Sequence, residues 1–437
     1  LKKIDFTITH RFNEVSITEK EFKNLLSISC WNCIPYFPHR GRSAWHILEE
    51  PASVNSDLSY KLKAAKLKGV GLCEEPGNSE EQISAVKPLQ PTTKPHDAFA
   101  TYPHFGIAKD GQYESVYSEI APLGGILHRR AILEFQSAKK LYENKVPTFI
   151  PLAVLRYKDD YQFQKEPMGA VITLSPDTSF HRLSTVQFGA AVCPGIDAEG
   201  ENYYIRIQKA LEVKGNPKSE EVRLQIINIL SRKLGKLMHD FSKVGLYRHG
   251  SEWSNYNFDF ERCEVLLTDL DSSLLMADLP EELRFLHAMR DLCSLLYRTL
   301  SKFYTPQSLG AYSLSNLIKF NPLLELLRGY FPETSEDKLL TISKKLWDCF
   351  APHYFMLNNY RQSIRDIWSI ERRKSYKMDH LLFYVLAMTL LFPIFKESDL
   401  LQVYPSNLTM KEQLKKAKAY LNGEQHEYFL YILNDKN

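Results

Sequence analysis

The chain has 437 residues, with 55 Lys and Arg against 52 Asp and Glu and a formal charge of +3. Hydrophobic residues make up 44% and charged residues 24%, which excludes global disorder, and the near-balance of charge offers no basic excess for a nucleic-acid partner. The length exceeds one compact core and predicts two domains.

In chain order, Thr18 and Glu21 form a capping-box pattern ahead of Phe22, Leu25 and Leu26, which predicts a helix. Tyr60 to Val70 interleaves apolar residues with lysines and reads as a strand. From Glu74 to Pro103, Pro76, Pro88, Pro91, Pro95 and Pro103 sit among Ser, Thr, Glu and Lys, the composition of a surface insertion. Leu127 to Glu143 has helical apolar spacing; Val146 to Tyr157 and Met168 to Leu174 read as strands. Helical patterns then take over: Ser219 to Lys243, Glu281 to Phe303 after Pro280, and most of Leu314 to Asn437.

The most apolar stretch, Leu381 to Phe395, has 15 residues, contains Pro393 and falls short of the roughly 18 to 20 that span a bilayer, so a buried helix is expected and no membrane partner. Seven thinly spread Cys argue against a disulfide scaffold and for a reducing, cytoplasmic setting, and no apolar run follows the first lysines, so no signal peptide is expected. Cys30 and Cys33 have redox or half-zinc spacing but no second pair. His239 reads as a packed histidine, and Glu371 to Lys374 as a solvated helix face. The expected fold class is α+β and two-lobed: a strand-rich N-lobe over 1–165 with the insertion at 74–103, then a helical C-lobe over 166–437 with a helical C-terminal extension.

The segment from Val244 to Ser273 is the most informative. A helix ends at Gly245, His249 and Gly250 open an Asn-rich loop, Phe258 and Phe260 face Val265 and Leu267 across a predicted hairpin, and Asp269 and Asp271 follow. A His-containing loop ending in Asn, a hairpin and then Asp is the layout of a protein-kinase-like catalytic segment. An amide oxygen and a carboxylate at the ends of a short hairpin can hold Mg²⁺ against a nucleotide's phosphates. A surface hairpin with Asn and Asp as turn residues explains the same letters. Lys68 on a predicted strand and Glu134 on the next helix are the residue types that kinase-like folds pair to steady a lysine over phosphates.

Several strings resemble the selenoprotein O family of kinase-fold protein adenylyltransferases, in family order from Gly41 to Ser273: GRSAWHILEE at Gly41, LKGVG at Lys68, GGILHRRAILEF and VPTFIPLAV from Gly124, GAVITLSPDTSFHRL from Gly169, and VGLYRHG from Val244. The resemblance implies an inverted ATP and AMP transfer to a hydroxyl. Carried over by residue, Lys68 and Glu134 are the ion pair, Gly41, Arg42, Gly124 and Arg182 touch the nucleotide, and Asp269 holds metal, with Asn257 and Asp271 beside it. The sequence departs from the family at Leu123 and Leu174. Ser254, Asn255, Tyr256 and Asn257 stand where the family has an Asp-Asn pair, so the carboxylate base is missing; Glu252, Asn255 and His249 are the remaining catalytic candidates. No Gly occurs between Gly41 and Gly69, so arginines must replace a backbone phosphate cradle.

The implied function is Mg²⁺- and ATP-dependent nucleotidyl transfer to a protein or small-molecule hydroxyl. The alternatives are an aminoglycoside-phosphotransferase-type small-molecule kinase and a pseudokinase that works by binding.

Overall fold

A computed structural model describes residues 3–31, 37–38, 42–70, 103–117, 125–158, 161–188, 198–248, 250–301, 312–359, 370–398, 400 and 408–421. The chain divides into two compact units: Leu1–Ala100, Glu119–Phe180 and Leu266–Ser273 form the first, and Thr101–Ser118, His181–Val265 and Leu274–Asn437 the second. The fold is α+β, with a large antiparallel sheet in the first unit and helices dominating the second.

The first unit opens with β1 (Phe6–Arg11), β2 (Val15–Ser16) and helix α1 (Glu19–Ser29), followed by β3 (Phe37–Pro38) and the long hairpin β4 (Ser43–Val54) and β5 (Asp57–Lys68). Next in the chain, β6 (Pro103–Ile107) and β7 (Tyr113–Tyr117) form a hairpin that belongs to the second unit. The chain then returns with β8 (Ile126–Leu127), helix α2 (His128–Glu143), β9 (Ile150–Tyr157), β10 (Gln162–Phe163) and β11 (Glu166–Ser175). The sheet runs β1-β9-β11-β5-β4-β2, so β5 is an inner strand bonded on both sides.

Alternation along β5 sends Ala65 and Leu67 into the main core with Leu155, Val171 and Phe135, while Ala64, Lys66 and Lys68 share the opposite face. On that face Ala64 packs with Trp45, Phe149 and Leu266. Immediately after Lys68, Gly69 takes φ +103 and donates its N–H to the Arg42 carbonyl at 2.6 Å. A Cβ there would lie 2.3 Å from the Gly169 carbonyl oxygen, so only glycine fits the close approach of β5 to β11.

Thr18 caps α1 as the sequence predicts, accepting from the Glu21 N–H at 3.3 Å. The reciprocal half of the capping box is absent. The buried Glu21 carboxylate accepts instead from the N–H groups of Glu49 and Glu50, at 3.0 and 3.1 Å, where the β4–β5 register shifts. A tertiary demand for two unpaired strand donors outweighed the local one.

In the second unit, α3 (Ser184–Phe188) and α4 (Ala198–Ala210) lead to α5 (Glu220–Lys243), capped by Ser219, and then to β12 (Leu246–Arg248). The predicted hairpin is β13 (Tyr256–Asp259) with β14 (Glu264–Leu267); Phe260 falls in its turn. Helix α6 (Glu281–Ser301) is followed by α7 (Leu314–Phe320), α8 (Pro322–Tyr330), α9 (Glu336–Asn359), α10 (Ile370–Glu397) and α11 (Met410–Leu421). α5 and α8 cross at Gly235 and Gly329, where a Cβ on either would come within 2.1 Å of the other helix's backbone.

The expected apolar helix lies in α10, with Leu382 to Met388 buried, and no helix among the described residues is long and apolar enough to cross a membrane. Phe105 of the β6–β7 hairpin stacks on Tyr384 of α10, and its carbonyl accepts from Arg290 of α6. Pro76, Pro88, Pro91 and Pro95 lie outside the described residues, as do Cys33, Cys73 and Cys193. Cys30 is a buried free thiol, and His239 Nδ1 lies 2.8 Å from the Tyr330 carbonyl oxygen, as a packed histidine should.

Candidate functional site

The charged centre of the first unit forms around the end of β5. Lys68 Nζ donates to Glu134 Oε2 at 2.9 Å and to Asp271 Oδ1 at 2.6 Å, and lies 3.3 Å from Asp269 Oδ1. Glu134 comes from the buried side of α2, whose Ala131, Phe135 and Ala138 pack inward beside it. Asp269 and Asp271 lie on the non-strand segment that follows β14. The start of that segment is docked by a parallel bridge between Thr148 and Leu267, the last residue of β14, and by the Phe149 N–H to Leu267 carbonyl bond at 3.0 Å. Asp269 has φ 56, a left-handed conformation that a non-glycine residue adopts at a cost of about 1–3 kcal/mol and that clusters at functional sites.

Predicted Arg42 joins the cluster, and sequence reasoning missed two further members, Lys66 and Arg130. Lys66 is 1% exposed; its Nζ donates to Thr268 Oγ1 at 3.2 Å and to Asp269 Oδ1, and lies 3.8 Å from Glu134 Oε1. Arg130 NH1 lies 3.9 Å from Asp271 Oδ2, and Arg42 NH1 donates to the same oxygen at 3.3 Å. A signal for both missed residues was present. Lys66 stands two residues before Lys68, on the same face of a strand, and Arg130 four residues before Glu134, on one face of a helix.

Four cationic side chains thus surround three carboxylates, and the cluster carries a net positive charge. Burial works against the charged form of Lys68, but Asp271, Glu134 and Asp269 more than offset it and raise its pKa above the usual lysine value. Burial likewise opposes the Asp271 carboxylate, yet Lys68 and Arg42 hold its pKa well below the ordinary range. The partly exposed Arg42, Asp269 and Arg130 form the accessible edge of the cluster, while Lys66, Lys68, Glu134 and Asp271 are buried.

A Mg²⁺ ion does not fit these carboxylates as they stand. Asp269 meets Lys66 and Lys68, and Asp271 meets Lys68, Arg42 and Arg130, so the ion would have to displace a cationic side chain already paired with each carboxylate. Among the described residues no group of three His, Cys, Asp or Glu has metal-binding geometry.

The other predicted residues belong to the second unit. Arg182 donates to Asn257 Oδ1, and Asn257 Nδ2 donates to the His181 carbonyl at 2.9 Å. Asn255 Nδ2 donates to the Gly250 carbonyl at 2.9 Å, and Glu252 pairs with Arg298 at 2.9 Å. The amide oxygen of Asn257 and the carboxylate of Glu252 are therefore both engaged by arginines. Asp291 of α6, which the sequence reading did not single out, holds the end of β12: its buried Oδ2 accepts the Arg248 N–H at 2.6 Å. Burial pushes the Asp291 pKa up to about 7, and burial lowers that of His287, one helical turn before it, to about 4. Gly41, Gly124 and His249 lie outside the described residues.

No family model and no curated protein sequence matches the chain. Among solved structures it is similar to WaaP in complex with acyl carrier protein, at 15% identity and a TM-score of 0.30, over 60% of this chain and 91% of the other. It is also similar to ROP2 from Toxoplasma gondii, described as a virulence factor with a protein-kinase fold and no enzymatic activity. That likeness has 11% identity and a TM-score of 0.26, over 88% of this chain and 94% of the other.

Proposed function

We propose that the first unit binds ATP in a kinase-like manner, and that the chain acts chiefly as a nucleotide-binding protein of pseudokinase type. The buried Lys68–Glu134 pair at 2.9 Å carries the reading. Two buried charges held on separate elements, an inner strand and a packed helix, gain little stability over an apolar pair; a lysine pre-oriented for an anion gives them a use. The net positive charge, with Arg42 and Arg130 at its accessible edge, favours phosphate oxygens.

Slow AMP transfer to a protein or small-molecule hydroxyl is the second reading, supported by the family order of the strings from Gly41 to Ser273. Binding is preferred over transfer because Glu252, the one acidic candidate for a base in the His249 loop, is neutralised by Arg298. A missing base costs about 10² to 10⁴ in rate. Phosphoryl transfer to a small molecule is the third reading.

ATP labelled at the α or the γ phosphorus distinguishes them. Binding without label on any acceptor is the expected result; label from α alone would establish AMP transfer, and label from γ alone phosphoryl transfer. Lys68→Met should abolish ATP-induced thermal stabilisation of the full chain. Undiminished stabilisation in that variant would overturn the site.

A further inference from the structure

Lys66 is the member of the cluster that the nucleotide-binding reading leaves without a role. We propose that its ammonium takes the place of a divalent cation beside Asp269, so that the first unit binds nucleotide phosphates without a divalent metal; this rests on the nucleotide-binding reading above.

The surroundings of Lys66 Nζ are those of a hard cation. A hydroxyl oxygen from Thr268 at 3.2 Å, a carboxylate oxygen from Asp269 and a second carboxylate oxygen from Glu134 at 3.8 Å face one buried positive charge. Hydroxyl and carboxylate oxygens are the ligands that Mg²⁺ takes, but Mg²⁺ needs near-octahedral oxygen at about 2.0–2.1 Å and keeps several waters. A side chain 1% exposed leaves no room for either while its ammonium is in place.

Nor can Lys66 readily withdraw. Its strand is bonded on both sides, with Lys66 opposite Trp45 of β4 and Thr173 of β11, and Trp45 is itself anchored by its Nε1 donating to the Thr178 carbonyl at 2.7 Å. Lys68 stands on the same face and pairs with both Asp269 and Asp271, so a dication there would face two ammonium groups. In a kinase-like site the metal neutralises phosphate charge and bridges it to the protein's carboxylates. Here Lys66 and Lys68 already neutralise Asp269 and Asp271, and the remaining positive charge at Arg42 and Arg130 faces the phosphates directly.

Calorimetric titration of the full chain with ATP, in excess EDTA and in excess MgCl₂, tests the proposal. Affinities agreeing to within about threefold are expected. Lys66→Met should weaken binding in EDTA by about tenfold or more and regain it when Mg²⁺ is supplied. Mn²⁺ titrated alone into the wild-type protein should keep the paramagnetic signal of the free ion. Wild-type binding that appears only with Mg²⁺, or stoichiometric uptake of Mn²⁺ without nucleotide, would overturn the proposal while leaving nucleotide binding intact. No binding in either buffer would overturn both. Should Lys66→Met fail to fold, the two wild-type titrations and the Mn²⁺ signal still decide the question.

Discussion

Glu134→Ala probes the buried cluster most directly. Glu134 is 2% exposed and is the only carboxylate that α2 contributes to Lys66 and Lys68 among the described residues. Removing one partner of a buried ion pair typically costs about 3–5 kcal/mol, because the remaining charge stays buried. Here Lys68 keeps Asp271 at 2.6 Å and Lys66 keeps Asp269, so the low end applies, about 3 kcal/mol. For a body of about 150–250 residues each kcal/mol moves the midpoint by about 2–4 °C, so a fall of about 6–12 °C is expected in the unfolding transition of the first unit.

Differential scanning calorimetry of the full chain at neutral pH measures it. Glu134→Gln, which keeps the shape and removes the charge, should show most of the loss. Added salt should restore little of it, because buried pairs are poorly screened. A midpoint within about 1 °C of wild type for Glu134→Ala would show that Asp269 and Asp271 suffice for both lysines, and would refute the reasoning.

The remaining expectations concern the second unit. The Asp291 pKa is raised to about 7, so its contribution is full below about pH 4 and is lost as pH rises towards 7. That of His287 is lowered to about 4, so its contribution is present above about pH 6.5 and is lost as pH falls towards 4. The two slopes oppose each other between about pH 4 and 6.5; in urea denaturation across that range, Asp291→Asn should steepen the rise of stability with pH, and an unchanged profile would count against a protonated Asp291. Gly235→Ala and Gly329→Ala should each cost about 2 kcal/mol or more despite alanine's better helix propensity, because the added methyl meets helix backbone at 2.1 Å and backbone cannot turn aside. Equal or higher melting temperatures for both variants would show that α5 and α8 can separate at little cost.

The sequence by itself marked several of the elements in their order, though not the β6–β7 hairpin, α3 or α4. Alternating lysines marked β5, the spacing from Leu127 marked α2, and the Ser219 and Pro280 signals marked the starts of α5 and α6. It also singled out Lys68, Glu134, Asp269 and Asp271, which the fold brings into one cluster. A period of two says which residues share a face, not which face is covered; only the docking of Leu266–Ser273 onto the sheet turned Lys66 from a surface lysine into a buried one. Partner choice was likewise a tertiary matter. Glu21 left its local capping box for two strand N–H groups at β4, Asn257 gave its amide oxygen to Arg182, and Asp271 took Lys68. Each polar group is buried with whichever complementary charge or dipole the long-range packing brings within about 3 Å, and no local spacing encodes that distance.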